Sequence, residues 1–331
     1  MMLKKIYQFP QKHLLLVLPL VLIASFITGL YVDTQGLGPT ILIATIIMIF
    51  ATMVGLKIEE LTKIRNESKL IGVSFLINFL WVPLIALVIG MTILSNHPLM
   101  FAGLALVAVL PTSGMTIAWT GIQKGNMPAA VKLTVFGLIV GSVLTPWYLL
   151  VMVGQYVPID IMTTFRTIFM VVFIPLVLGQ IVTRILLKKY SQLEFNKKIK
   201  PNLAPLSIWG LLYVVFVSTS ARAEMLVGSL DLIVYAVIAI FLFYGINYTF
   251  ATFIATKMFN RNDGIALVNG TVLRNLSIAI GIAATAFSAE AAILVTIAFM
   301  FQYSSISFYA KYSAKRWFSQ SEDQDSQASS V

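Results

Sequence analysis

The sequence predicts an all-α polytopic membrane protein of ten transmembrane helices, built as two inverted five-helix repeats with crossed discontinuous helices four and nine. Three observations carry this reading. Of the 331 residues, 59% are hydrophobic and only 11% charged, where a soluble domain holds about a quarter charged residues. Apolar runs of about twenty residues, enough for a helix to cross roughly 30 Å of hydrocarbon, recur along the whole chain. Short segments of the first half also return, in the same order, in the second half.

The first span, Lys12–Tyr31, follows the basic stretch MMLKKIYQFPQK. Its apolar run is too long for a signal peptide and has no small-x-small cleavage site, so it counts as a span. Leu37–Leu56 is the second span and Leu70–Leu94 the third, with Asn78 among the aromatics of INFLW. The fourth, Pro98–Gln123, carries Pro111 and Gly114 at its middle, in VLPTSGM. Proline removes a helical donor and clashes with the preceding turn, and glycine tolerates the irregular backbone there. Pro128–Val153, Met162–Leu187 and Leu203–Ala221 follow. Leu230–Thr256 is the eighth span and holds a second lone asparagine, Asn247 in GINYTF. The ninth, Asn262–Phe287, contains GIALVNGTVLRNLSIAIG, where Gly270 and the pair Arg274–Asn275 interrupt an apolar run. Ala289–Lys311 is the tenth. Residues 1–11 read as a cytoplasmic segment, and 12–311 as one transport domain. Residues 312–331 read as a polar cytoplasmic tail, expected to be mostly disordered.

Charge fixes the expected orientation. Lys4, Lys5 and Lys12 precede span one, and Lys57, Lys63, Arg65 and Lys69 separate spans two and three. Lys124 and Lys132 flank the fourth connection. Arg184, Lys188, Lys189, Lys197, Lys198 and Lys200 surround the sixth, Lys257 and Arg261 the eighth, and Lys311, Lys315 and Arg316 follow span ten. All 23 basic residues except Arg166, Arg222 and Arg274 thus fall on one side. Basic loops stay cytoplasmic, which puts both termini inside a cell (plasma) membrane. The net charge of +10 then reflects topology and contact with anionic lipid, and no nucleic-acid partner is implied. The chain has no cysteine, so disulfides and thiolate sites are excluded. His13 and His97 lie at membrane edges, and no phosphate loop, nucleophile–base set or metal-ligand cluster is present. The expectation is a protein that is not an enzyme and needs no metal and no cofactor. Its partners are the lipid bilayer and a small-molecule anion substrate; the oligomeric state is not read from the sequence.

The repeats are short but ordered. GLALVAVLPTSGMTIAWTG (Gly103–Gly121) and GIALVNGTVLRNLSIAIG (Gly264–Gly281) share the frame G-[LI]-A-L-V and a later [TS]-I-A. PLVL occurs in spans one and six, and the lone asparagines Asn78 and Asn247 mark spans three and eight. Each match lies five spans from its partner. An odd offset inserts the second half upside down, the inverted-repeat pattern of secondary transporters. Backbone freed at membrane depth must be buried in protein or face a watery cavity. Two broken helices crossing near the midplane would therefore offer half-helix N-termini to an anion.

On these residues the chain resembles the bile acid:sodium symporter superfamily, which includes the arsenite permeases of arsenical resistance. The resemblance runs from about Leu14 to Tyr312. It rests on MVGLKIEELTKIRNESKLIGVSFLINFLWVPLIAL (Met53–Leu87), on VLPTSGMTIAWTGIQKGNMPAAV with its K-G-N turn, and on GTVLRNLSIAIGIA. It implies ten helices in two bodies. Spans three to five and eight to ten (about 70–153 and 230–311) form a core, against which a panel of spans one, two, six and seven (about 12–56 and 162–221) moves. The departures are specific. Sodium-coupled members carry a glutamate and a glutamine where Gly270 and Arg274 stand, with Asn275 kept, and a serine–asparagine pair where Thr116–Ile117 stand. A guanidinium at ~5 Å in an effective dielectric of 20 would repel sodium by about 3 kcal/mol. The arsenite permeases rely on a cysteine in span four, which this chain lacks, and their acidic span-nine position falls at Asn275.

Arg274 is the one basic residue far from every predicted membrane face, and a mid-membrane charge faces a cavity or a partner. Two compatible roles are open: direct binding of an anion, or a fixed structural cation bonded to the open carbonyls of span four. Thr112, Ser113, Thr116, Asn269, Thr271, Asn275 and Ser277 are candidate neutral ligands near it. Asn78, Asn247, Gln302, Ser304 and Ser305 could complete the wall. The expected function is secondary transport of a small organic anion or oxyanion by alternating access, without the usual sodium coupling. An arsenite or antimonite permease is the nearest alternative, and an anion channel or membrane sensor is the alternative of another class.

Overall fold

The computed structural model describes residues 2–56, 67–157, 161–221, 223–227 and 231–313. Lys57, Lys63, Arg65, Asp160, Arg222, Lys315, Arg316 and the tail from residue 314 onward lie outside the described residues. Among the described residues there is no strand. In chain order the long helices are α1 (Met2–Lys12), α2 (Leu14–Tyr31), α3 (Thr40–Met53) and α4 (Ser68–Thr92). Then come α5 (Pro98–Val109), α6 (Gly114–Ile122), α7 (Met127–Val153), α8 (Met162–Lys189) and α9 (Gln192–Ser220). α10 (Asp231–Met258), α11 (Arg261–Val272), α12 (Leu276–Ile282) and α13 (Ala289–Phe308) complete the set. Among the described residues, 7 helices are long and apolar enough to cross a membrane, with α11 and α12 taken as one, and up to 9 if the bent pairs α1–α2 and α5–α6 each count as a span. α3 is apolar but shorter.

Local chemistry sets most boundaries. α3 starts late because Pro39 occupies its cap, and it ends before Gly55, whose φ of +82° suits glycine. α9 begins at Gln192 rather than near Leu203. Ser191 and Glu194 form a reciprocal capping box there, so the lysines expected in a loop lie on a helix. Residues 2–11, expected only as a cytoplasmic segment, and Lys12, expected to open the first span, form α1. Three helices widen into a π turn just ahead of a proline: Ile77–Trp81 before Pro83, Phe169–Phe173 before Pro175, and Phe195–Ile199 before Pro201. The proline ring crowds the carbonyl four residues back and has no N–H to return to it. In α4 that carbonyl belongs to Phe79, and the Tyr148 hydroxyl of α7 donates to it instead.

Two sets of helices pack among themselves. α9 lies along α2 and α3, and α8 along α3. α5 packs on α7 and α13, α10 on α11 and α13, and α11 on α6 and α7. The sets meet where α3 touches α12 and where α13 touches α2 and α9. The α11–α12 span is the innermost: 89% of its most apolar window is buried, against 33% for α8. The irregular backbone at its middle is therefore enclosed by protein, as a break at membrane depth requires.

Close approach by glycine makes room for the other break. A Cβ on Gly141 of α7 would stand 2.8 Å from Pro111 Cδ and 2.9 Å from the Val109 oxygen, and one on Gly137 would stand 2.6 Å from Thr112 Oγ1. Gly245 of α10 has open space at the same distance. Gly141→Ala is expected to destabilise by about 1–3 kcal/mol through overpacking. Gly245→Ala should be neutral or stabilise by up to about 1 kcal/mol. Thermal melts of the purified protein in detergent would check the contrast.

Candidate functional site: the paired helix breaks

α5 and α11 each end near mid-span, and their ends meet. Pro111 has no N–H, so the Val107 carbonyl of α5 loses its helical donor. Past Pro111 the chain turns through Thr112 at φ +58° and Ser113 at φ −146° before α6 starts, with a bend of 56° between the two halves. A left-handed threonine is a strained backbone, held only where its surroundings fix it. Here Thr112 is buried, and its hydroxyl donates to the Pro111 oxygen at 2.8 Å. In α11 the helix stops at Val272, and Leu273 is extended.

The freed carbonyls then find donors. Arg274 Nε donates to the Val107 oxygen at 3.0 Å, and its Nη2 donates to the Ala108 oxygen. Nη1 donates to the Thr271 oxygen at 2.9 Å and to Asn78 Oδ1. Asn78 in turn donates to the Gly270 oxygen at 3.1 Å, and the Asn275 N–H donates to the Leu110 oxygen at 2.9 Å. The Arg274 N–H donates to Gln302 Oε1 at 2.7 Å, and that oxygen also accepts the Tyr244 hydroxyl at 2.8 Å. Arginine has five N–H donors, and four of those in Arg274 are bonded to protein oxygens. The side chain is 1% exposed. Two helix C-termini, each with partial negative charge, thus share one cation. Asn78 sits in the π turn of α4, a feature that recurs at functional sites.

The two breaks leave few free oxygens for a metal cation. The carbonyls that could ligate a cation already bind one in Arg274. A Cβ on Gly270 would lie 2.9 Å from Leu133 Cδ1, so an apolar side chain fills the space beside it. No group of three or more His, Asp or Glu among the described residues could hold a metal. Gly270 is also not a break: it lies inside α11, and the chain leaves the helix only at Leu273. The reason is that the N–H groups of residues 274 and 275 go to Gln302 and Leu110 instead of back along the helix.

The opposite ends of the half-helices open onto a cavity of about 270 Å³ between the two helix sets. Ser113, Gly114 and Met115 at the start of α6 line it, with Arg274, Asn275 and Ser277 before and at the start of α12. Ser113 caps α6 by accepting from the Met115 N–H, and Asn275 caps α12 by accepting from the Ile278 N–H. Gln302 lines the core side, Lys200 of α9 lines the other wall, and the described lining residues include no acid. Of the candidates from sequence, Ser113, Arg274, Asn275, Ser277 and Gln302 are therefore brought together. Thr112, Thr116, Asn269, Thr271, Asn78 and Asn247 do not line the cavity. Thr116 donates to the Asn269 oxygen at 3.4 Å and Asn269 donates to Thr120 at 3.1 Å, which ties α6 to α11. Asn247, Ser304 and Ser305 donate to carbonyls of their own helices. Sequence reasoning missed Lys200 as a cavity residue, because it was absorbed into the topology charges. It also missed Gly137, Gly141 and Leu133; the i, i+4 glycines were the one available signal.

A second cavity, of about 760 Å³, lies between the helix sets beyond the far end of α12. Ile41, Thr167, Ser218, Thr285 and Ser288 are among its lining. Between the two cavities Thr45 of α3 sits against Gly281 of α12, with Met48 and Ile278 fully buried beside them.

Comparison with known proteins places the chain in a family. Residues 42–229 match the Sodium Bile acid symporter family. The chain is 26% identical over 225 residues to the uncharacterized protein YbaS of Bacillus subtilis, covering 67% of this chain and 72% of that one. It is 27% identical over 249 residues to sodium/bile acid cotransporter 7-B of Xenopus laevis, covering 72% of this chain and 70% of that one. It is 22% identical over 274 residues to the arsenical-resistance protein Acr3 of Corynebacterium glutamicum, covering 78% of this chain and 73% of that one. With its family match spanning more than half of its length, this integral membrane protein belongs to the Sodium Bile acid symporter family of transporters.

Proposed function

We propose that the protein carries a small organic anion or oxyanion across the cell membrane by alternating access, without sodium coupling. The observation that supports it is the 270 Å³ cavity. Two half-helix amino ends line it with positive potential, and Lys200 stands in the opposite wall. Arg274 acts as a built-in cation. It neutralises the carbonyl ends of both breaks, so an anion need bind only the amino ends. It does not carry protons, because guanidinium stays protonated. The ten-span reading belongs to the same proposal. α3, though short, and the broken pair α5–α6 each count as one span, both termini are cytoplasmic, and the two halves are inverted repeats. The helix set α2, α3, α8 and α9 is the moving panel, and the remaining spans are the core.

The likeness to Acr3 favours a second reading, export of arsenite or antimonite. Arsenite is neutral at pH 7 and needs soft or hydrogen-bonding ligands, whereas the chain has no cysteine. A thermal-shift screen of the purified protein against carboxylates, oxyanions, arsenite and antimonite separates the two. Stabilisation by an anion is expected; stabilisation by arsenite alone replaces the anion reading.

Two predictions follow from the carrier reading. Uptake of the stabilising anion into proteoliposomes should change less than about twofold when sodium is replaced by choline; strong stimulation by a sodium gradient rejects the built-in cation. The absence of native cysteine allows accessibility labelling of single-cysteine variants. Ser207→Cys reports the smaller cavity and Thr285→Cys the larger. Saturating substrate should shift their labelling rates in opposite directions. If both positions label fast at once in every condition, the protein is a channel.

A further inference from the structure

The helix α1 touches the smaller cavity only through Gln11, near its end, and carries a groove of its own. It meets α2 at His13 with a bend of 95°. A helix so bent from a membrane span lies along the interface, where basic residues meet headgroups and apolar ones meet acyl chains. Two hydrogen bonds hold it to α9: the Tyr7 hydroxyl donates to the Asn202 oxygen at 2.7 Å, and Trp209 Nε1 donates to the Tyr7 oxygen at 3.1 Å. Between α1, α2 and α9 lies a cavity of about 610 Å³, walled by Ile6, Phe9, Val17, Val21, Leu212 and Phe216. Lys5 is the one charged residue among the described residues of its lining. Lys5, Phe9 and Lys12 stand at i, i+4 and i+7, which places them on one helix face, and all three are exposed. α1 contains no acidic residue.

We propose that this groove holds an acyl chain of an anionic phospholipid whose phosphate is held by Lys5 and Lys12. The apolar wall takes the chain, and the two cations select the headgroup. A phosphodiester is anionic in every common bilayer lipid, so selection rests on net charge: zwitterionic headgroups bring an ammonium against the lysines, and phosphatidylglycerol does not. A second copy of this chain is a poorer occupant. In a two-fold contact through this face, Lys5 and Lys12 would oppose their own images. The proposal is independent of what the central cavity carries.

The test uses the full chain in detergent, with phosphatidylglycerol and phosphatidylcholine of matched acyl chains. Native mass spectrometry counts retained lipid, and a thermal melt reads stabilisation. Wild type is expected to retain one phosphatidylglycerol per chain and to be stabilised by it more than by phosphatidylcholine. In the double variant Lys5→Gln/Lys12→Gln the affinity for phosphatidylglycerol should fall about thirtyfold, from the usual contribution of two juxtamembrane cations. Val21→Trp, which fills the groove, should lower retention of phosphatidylglycerol while leaving the lysines in place. The lysine variant alters only exposed side chains, so it keeps the test decisive if Val21→Trp fails to fold. Equal retention of both lipids by wild type overturns the proposal. So does equal stabilisation by soluble glycerol phosphate, which would mark a bare anion contact. A dimer in solution that is lost in Val21→Trp overturns it in favour of a second copy.

Discussion

At the centre of the bundle one guanidinium bridges the carbonyl ends of two different half-helices. Arg274 reaches back across its own break to Thr271 and across to Val107 and Ala108 in α5, and Asn78 braces it from α4. A charge buried at this depth is strongly unfavourable unless it is fully hydrogen-bonded. Equally, an orphaned buried carbonyl costs about 1–3 kcal/mol. Each half of the arrangement relieves the other. Pro111 creates the open carbonyl at Val107, and Arg274 is the donor that makes the open carbonyl tolerable.

The constraint orders everything around it. Because the C-terminal ends of α5 and α11 are sealed together, the amino ends of α6 and α12 point away from the junction and into the cavity. Gly137 and Gly141 let α7 approach the first break, while Gln302 and Tyr244 fix the peptide at the second. An exchangeable metal ion would tie the geometry of the crossing to ion binding. A covalently attached cation keeps the crossing assembled whether or not substrate is present, and the proposal of transport without sodium coupling rests on that difference.

Much of this was legible in the sequence, and the reasons are specific. The apolar runs marked the helices, because a bilayer imposes a minimum length that composition reveals directly. Pro111 and Arg274 stood out because each breaks a local rule, and the structure makes them partners across a long sequence separation. The choice between a substrate-binding and a structural arginine was not legible, since it depends on which carbonyls lie within 3 Å. Gly270 was misread as a break because glycine in a membrane helix signals either irregularity or close packing, and here it packs against Leu133. Lys200 was invisible as a cavity residue because a helix began where a basic loop was expected. α1 was read as a plain tail because its apolar residues are too few to span a membrane and only their helical spacing shows a face.

Thermal stability of Arg274→Met with and without substrate tests the central claim most directly. Methionine keeps much of the volume and removes every donor, leaving the oxygens of Val107, Ala108 and Thr271 without their arginine partner. At about 1–3 kcal/mol for each, and about 2–4 °C per kcal/mol for a large domain, the melting temperature should fall by at least about 6 °C even with no substrate present. A variant that melts within about 1 °C of wild type, yet is no longer stabilised by the transported anion, would make Arg274 a substrate ligand and contradict the account.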